Sequence, residues 1–112
     1  MDVGVSIWKM TEAELLAEVI SLCEQRKIWW VHIDTPFHNK RRQNIIGFPD
    51  LFLCGTAGIM FRELKKQQGW KSSPKQTDWK YRLKVARQNW DLWQPRDLES
   101  GRIGRELDSL CS

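Results

Sequence analysis

Between Thr11 and Arg26 the apolar residues Leu15, Leu16, Val19, Ile20, Leu22 and Cys23 recur at helical spacing, with Glu14, Glu18, Ser21 and Gln25 on the other side. Thr11 stands where an N-cap belongs, with acids in the turn behind it. Trp29 to Ile33 is short, aromatic and β-branched, which predicts a strand. Thr35 to Gly47 contains Pro36, Asn39, Asn44 and a Lys-Arg-Arg run and reads as a long exposed loop, of the kind that is functional or mobile. Leu51 to Cys54 predicts a buried strand, Gly55-Thr56-Ala57-Gly58 a turn, and Ile59 to Lys65 the second strand of a hairpin.

Beyond a polar linker from Gln67 to Pro74, a second helix is predicted over Lys75 to Gln88. Trp79, Leu83 and Ala86 share one face of it, and Gln76, Lys80, Lys84 and Arg87 a neighbouring one. Asp91 to Trp93 predicts a short strand stopped by Pro95, and Leu98 to Leu110 a terminal helix interrupted by Gly101 and Gly104. The order α-β-β-β-α-β-α predicts an α/β fold, a small mixed sheet flanked by helices, in one domain spanning the 112 residues.

Composition narrows the class. At 41% hydrophobic and 29% charged the chain can bury a core, which excludes disorder and fibrous repeats. No apolar run has the length of a membrane span, and the N-terminus lacks a signal-peptide pattern, so no membrane partner is expected. Three scattered cysteines, Cys23, Cys54 and Cys111, argue against a disulfide framework and a zinc site, and a reduced, cytoplasmic location is expected. Charge matters once it is located. From His38 to Gln88 there are 12 Lys/Arg and 3 Asp/Glu, a net of +9, so the flanks carry −5 of the overall +4. A basic centre between acidic ends suits a polyanion, and nucleic acid is the commonest.

The hairpin carries the candidate chemistry. Asp50 opens its first strand behind Pro49, and Glu63 and Lys65, two apart on the second strand, leave the same face. Two carboxylates and an ammonium converging at a sheet edge predict a site for a hard divalent cation, Mg²⁺ or Mn²⁺, beside a positive group. Such a site can activate a water and neutralise charge on a phosphodiester. Glu12 is a further candidate. It shares a stripe with Leu16, Val19 and Cys23, and a carboxylate packed against the sheet is costly to bury unless a cation compensates it.

Pro49-Asp50, an apolar strand, a tight turn and Glu63-Leu64-Lys65 together resemble the PD-(D/E)XK nuclease superfamily, and in particular its small stand-alone VRR-NUC members. Gly47-Phe48-Pro49-Asp50-Leu51 is similar to that family's strand entry. Gly69, Ser72 or Ser73, Gln76 and Trp79 are similar to its downstream helix start, and Trp93-Gln94-Pro95-Arg96-Asp97 to a closing strand. The match runs from about Thr11 to Leu110, and the stretch between Ile33 and Gly47 departs from it. The resemblance implies a restriction-endonuclease-like core in which Asp50, Glu63 and the Leu64 carbonyl hold the metal. It implies Lys65 as the catalytic lysine, and Gln76 as a residue that braces the site or contacts DNA. Glu12-x-x-Leu15-Leu16 is similar to the start of the family's first helix, with Leu16 in place of a glutamine. The implied activity is structure-specific cleavage of branched DNA, as by a Holliday junction resolving enzyme of DNA recombination and repair. The expected setting is a bacterial or phage-infected cytoplasm. Two symmetric cuts by chains with one site each call for a homodimer.

Lys40, Arg41 and Arg42, Lys71, and the Lys80/Lys84/Arg87 stripe are the expected contacts to DNA backbone, and Trp70 the expected base-stacking residue. Most of the seven tryptophans are expected in the core or at a subunit interface. His32 and His38 have no partner at ligand spacing and are not assigned to a metal. The rival readings are a flap, nicking or less selective nuclease, a non-catalytic DNA-binding module, and a small structural subunit with a basic face.

Overall fold

A computed structural model describes residues 6–33 and 46–111. Helix α1 (Glu12–Gln25) starts as expected. Thr11 caps it in a reciprocal pair with Glu14, the Thr11 N–H donating to Glu14 Oε1 at 2.9 Å and the Glu14 N–H to Thr11 Oγ1 at 3.1 Å. Lys27, at φ 58, turns the chain out of the helix into β1 (Trp29–His32). Strands β2 (Leu51–Gly55) and β3 (Gly58–Leu64) form the hairpin, with Gly55 paired to Gly58 around Thr56 and Ala57. Helix α2 (Pro74–Val85) then crosses over to β4 (Trp90–Trp93), which lies parallel to β3.

The sheet order is β1-β2-β3-β4 with only the last pair parallel, so the mixed sheet flanked by helices is present. Four features differ from expectation. The terminal helix is two helices, α3 (Pro95–Glu99) and α4 (Arg102–Asp108), broken where Gly101 takes φ +84; Gly104 is accommodated inside α4. The Trp93-to-Asp97 motif is a strand-to-helix corner rather than a strand. Trp93 ends β4, Pro95 is the first helical residue, and Asp97 Oδ2 accepts the Gln94 N–H at 2.8 Å. Helix α2 ends at Val85, short of Gln88, because Arg87 adopts φ 60 and the Gln88 N–H returns to the Leu83 carbonyl at 2.9 Å; Ala86 is an exposed cap. Gln67 is buried rather than a linker residue, its amide oxygen accepting the Arg96 N–H at 3.0 Å.

One face of the sheet holds the core. Leu51, Leu53, Met60, Leu64 and Trp93 pack under Leu15, Val19 and Cys23 of α1 and Ile103 and Leu107 of α4. Arg62 sits on this face between Met60 and Leu64, 2% exposed, where burial alone would make its charge costly. Its Nη2 meets Glu106 Oε1 at 2.9 Å, which also accepts Trp93 Nε1–H at 2.9 Å. Arg102 bridges Glu106, Asp91 and Asp97 behind them. Arg62 Nε has no partner among the described residues. The other face is covered by α2 on its β4 side. There Trp79 packs edge-on against Phe48 (4.8 Å between centroids) and Phe48 against Phe61 (5.8 Å). Trp29, on β1, is 81% exposed, and Trp93 alone of the described tryptophans is fully buried.

Candidate functional site

Asp50, Glu63, Lys65 and Gln76 come together where β2 begins and β3 ends. Since β2 and β3 are the inner strands, this is the strand-end rim of the sheet and not the expected sheet edge. Asp50 immediately precedes β2, and its Oδ2 accepts the Leu64 N–H at 2.7 Å, which ties the start of β2 to the end of β3. Glu63, only 4% exposed, accepts Gln76 Nε2–H on Oε2 at 2.6 Å. Gln76 Oε1 accepts from Lys65 Nζ at 3.2 Å, and Lys65 Nζ lies 3.8 Å from Glu63 Oε2.

The bracing role implied for Gln76 therefore has a geometric counterpart. One amide holds the acid with its NH₂ and the lysine with its oxygen. The same oxygen accepts the Ser73 N–H at 3.0 Å while Ser73 Oγ accepts the Gln76 N–H at 3.2 Å, so Gln76 is also the N3 residue of the α2 capping box. Of the two candidate serines, Ser73 and not Ser72 caps the helix.

Gly47 supplies the contact that brings α2 to the rim. It takes φ +84, and a Cβ there would fall 2.4 Å from the Lys75 carbonyl carbon and 2.6 Å from the Gln76 nitrogen. Only glycine lets the Gly47–Asp50 segment run against the first turn of α2.

The electrostatics are those of a crowded acid pair. Burial, and then the neighbouring Asp50 charge, push the Glu63 carboxyl up to about 8; Lys65 opposes this and Glu12 adds to it. Burial also raises Asp50, against the Leu64 N–H, Glu63, Lys65 and His32. Without a cation the pair retains a proton at neutral pH.

Glu12 is exposed, not buried on the stripe: Leu15, Val19 and Cys23 take the core positions and Leu16 is half-buried. Val19 and Cys23 of the expected stripe are fully buried and Leu16 packs against the core from beside Leu15, while Glu12, at the start of the helix, stays in solvent. Glu12 nevertheless lines a recess of about 220 Å³ at the rim, with Ala13, Leu16, His32, Asp50 and Leu64. His32 is the residue that spacing along the chain could not find. It reaches this recess through the β1–β2 register, which sets it opposite Leu51.

The expected DNA contacts fare unequally. Lys40, Arg41, Arg42 and His38 lie outside the described residues. Trp70 is half-buried with Lys65 Nζ 5.6 Å from its ring centroid, which sets its indole beside the lysine. Lys71 is exposed. Lys80 and Lys84 keep their stripe, with ammoniums 5.2 and 5.8 Å from the Trp90 ring centroid, but Arg87 leaves it at the left-handed turn after α2.

Among the described residues no three His, Cys, Asp or Glu side chains are gathered closely enough to hold an ion unaided. Two carboxylates are nonetheless what Mg²⁺ ordinarily takes from a protein, keeping several waters and binding substrate oxygens. The crowded, proton-retaining pair is a donor set that a cation would relieve. The described cysteines are all free, and no helix among the described residues is long and apolar enough to cross a membrane. No family model, curated protein or solved structure matches the chain.

Proposed function

We propose that the chain is a Mg²⁺- or Mn²⁺-dependent DNA endonuclease that cuts branched DNA, as a homodimer, in the manner of a Holliday junction resolving enzyme. The observation that carries the reading is the buried Glu63 held against Lys65 by Gln76, with the half-buried Asp50 tied beside it by the Leu64 N–H. A structural ion pair does not need a second acid crowded against it, and the resemblance in the order Pro-Asp, Glu-x-Lys and Gln falls on these four side chains. Asp50 and Glu63 would hold the cation, with the Leu64 carbonyl beside them. The chemistry a bound cation supplies is neutralisation of charge on the phosphodiester and a lowered pKa for the attacking water.

The chain's own residues do the rest. The Leu64 N–H fixes one Asp50 oxygen and leaves the other for the rim. Gln76 fixes Glu63 Oε2 and holds the Lys65 ammonium by its oxygen, so that Lys65 is positioned to stabilise charge on the phosphate. Trp70 screens Lys65 from water on one side. Lys71, Lys80 and Lys84 offer positive charge to the backbone of a duplex arm.

The decisive experiment is incubation of a labelled four-way junction with the protein in Mg²⁺, in Mn²⁺ and in EDTA, beside linear duplex, flap and nicked substrates. Paired symmetric cuts in the junction alone, lost in EDTA and in Asp50→Asn, are expected. Cleavage of every substrate would make it a less selective nuclease. Junction binding without cleavage in either metal would make it a DNA-binding module.

A further inference from the structure

We propose that His32 contacts the phosphodiester being cut, donating an imidazole N–H to a non-bridging phosphate oxygen in the recess it shares with Glu12 and Asp50. The inference rests on the nuclease reading and adds a substrate-contacting residue to it.

Three elements build the recess: the first turn of α1 through Glu12, Ala13 and Leu16, the last residue of β1 through His32, and the rim through Asp50 and Leu64. The position of His32 is set by backbone, not by a flexible loop. His32 pairs with Leu51, and the next N–H, of Ile33, donates to the Asp50 carbonyl at 2.8 Å. The imidazole is therefore carried on the strand that is hydrogen-bonded to the residue bearing the first acid.

The recess is large enough for a phosphate group. A single ion needs ligands drawn together, and the three polar side chains here are not. A volume of about 220 Å³ accommodates a phosphate group with several waters, a water taking about 30 Å³ of liquid volume. The chemistry of the walls then separates the roles. Glu12 and Asp50 are acceptors that repel a phosphate unless a cation lies between, and Ala13, Leu16 and Leu64 offer no side-chain polar atom. His32 is the one lining side chain that can donate to an anion, and an imidazole carries at least one N–H whether neutral or charged. With Asp50 left to hold a cation, a phosphodiester at the rim would find in His32 the donor for a non-bridging oxygen.

The test uses the full chain with His32→Ala, His32→Gln, which keeps an N–H donor, and Val31→Ala, a neighbour on the opposite face of β1, as control. Affinity for a fluorescent four-way junction is measured in Mn²⁺ on a Lys65→Ala background, and Mn²⁺ affinity by calorimetry without DNA. His32→Ala should weaken junction binding at least tenfold, His32→Gln should restore it to within threefold, and Mn²⁺ affinity should hold within twofold. On the Lys65-intact protein, kcat/KM should fall in the same order. Junction binding unchanged in His32→Ala overturns the proposal. So does a parallel loss of Mn²⁺ affinity, which would make His32 a metal ligand. A chain that binds the junction but cuts no DNA refutes the nuclease reading, while the binding comparison still decides His32 by itself.

Discussion

Replacing Glu63 with glutamine should make the metal-free protein more stable above neutral pH, while removing cleavage. The Glu63 carboxyl titrates near 4.5 when unfolded and at about 8 in the fold. A raised acid contributes no penalty below its unfolded value, where both states are protonated. As pH rises from 4.5 to 8 the unfolded chain ionises first, so stability falls across that window and the loss is complete above 8. One proton is worth about 1.4 kcal/mol per pH unit, so the window supplies a loss on the order of a few kcal/mol. At 4% exposure little solvent screening reduces it. Glutamine is neutral throughout and keeps an oxygen for Gln76 Nε2–H. Urea unfolding of both proteins in EDTA, from pH 5 to pH 9, should give midpoints that coincide at the acid end and diverge towards the alkaline end, Glu63→Gln the more stable. Parallel curves, or a wild type more stable at pH 8.5, would refute the argument. The same proton must leave when a cation binds, so Mn²⁺ affinity should rise close to tenfold per pH unit below 8 in the wild type. An affinity that does not change with pH would refute it too.

Gly47→Ala should displace the first turn of α2, because its Cβ has no room beside Lys75 and Gln76; a lowered melting temperature and a loss of cleavage are the checks. Glu12→Gln should cut activity severely through the recess, whereas Glu14→Gln keeps an oxygen for the Thr11 N–H and should leave both the melting temperature and kcat/KM nearly intact. Lys80→Gln with Lys84→Gln should flatten the slope of log affinity against log salt by roughly 0.9 per lost duplex phosphate contact; an unchanged slope would make them only a cover for Trp90. Glu106→Ala should destabilise by about 3 kcal/mol in chemical denaturation, since it leaves the buried Arg62 charge unpaired.

What could be read along the chain was whatever depends on near neighbours. The α1 periodicity and its Thr11 cap, the hairpin turn, and Glu63 and Lys65 on one side of β3 all follow from spacings of a few residues. Glu12 continues the stripe of Val19 and Cys23 but is exposed at the first turn of α1, so it lines the recess without the burial cost that the stripe implies. Other features depend on pairs far apart in sequence. Arg62 looks like a surface charge until Glu106, 44 residues away, meets it under the sheet. Gly47 looks like a turn residue until α2 is laid against it. His32 lacks any partner at ligand spacing because its neighbours come from a different strand and a helix. Gly101 was visible as an interruption, but its left-handed conformation, which separates α3 from α4, required the chain to pack on both sides of it.

The double use of Gln76 ties local folding to chemistry. Leu83 is the one buried residue of helix α2, so little apolar contact holds the helix down, and such a segment opens more readily than the strands beneath it. Fraying of its first turn releases the Ser73 N–H and frees Glu63 and Lys65 in the same event. The arrangement of Glu63, Lys65 and Gln76 should therefore have its own opening equilibrium, distinct from global unfolding. Amide hydrogen exchange at Gln76 and Thr77 reports it, and a cation on Glu63 slows that exchange while leaving the core of β2 and β3 unchanged.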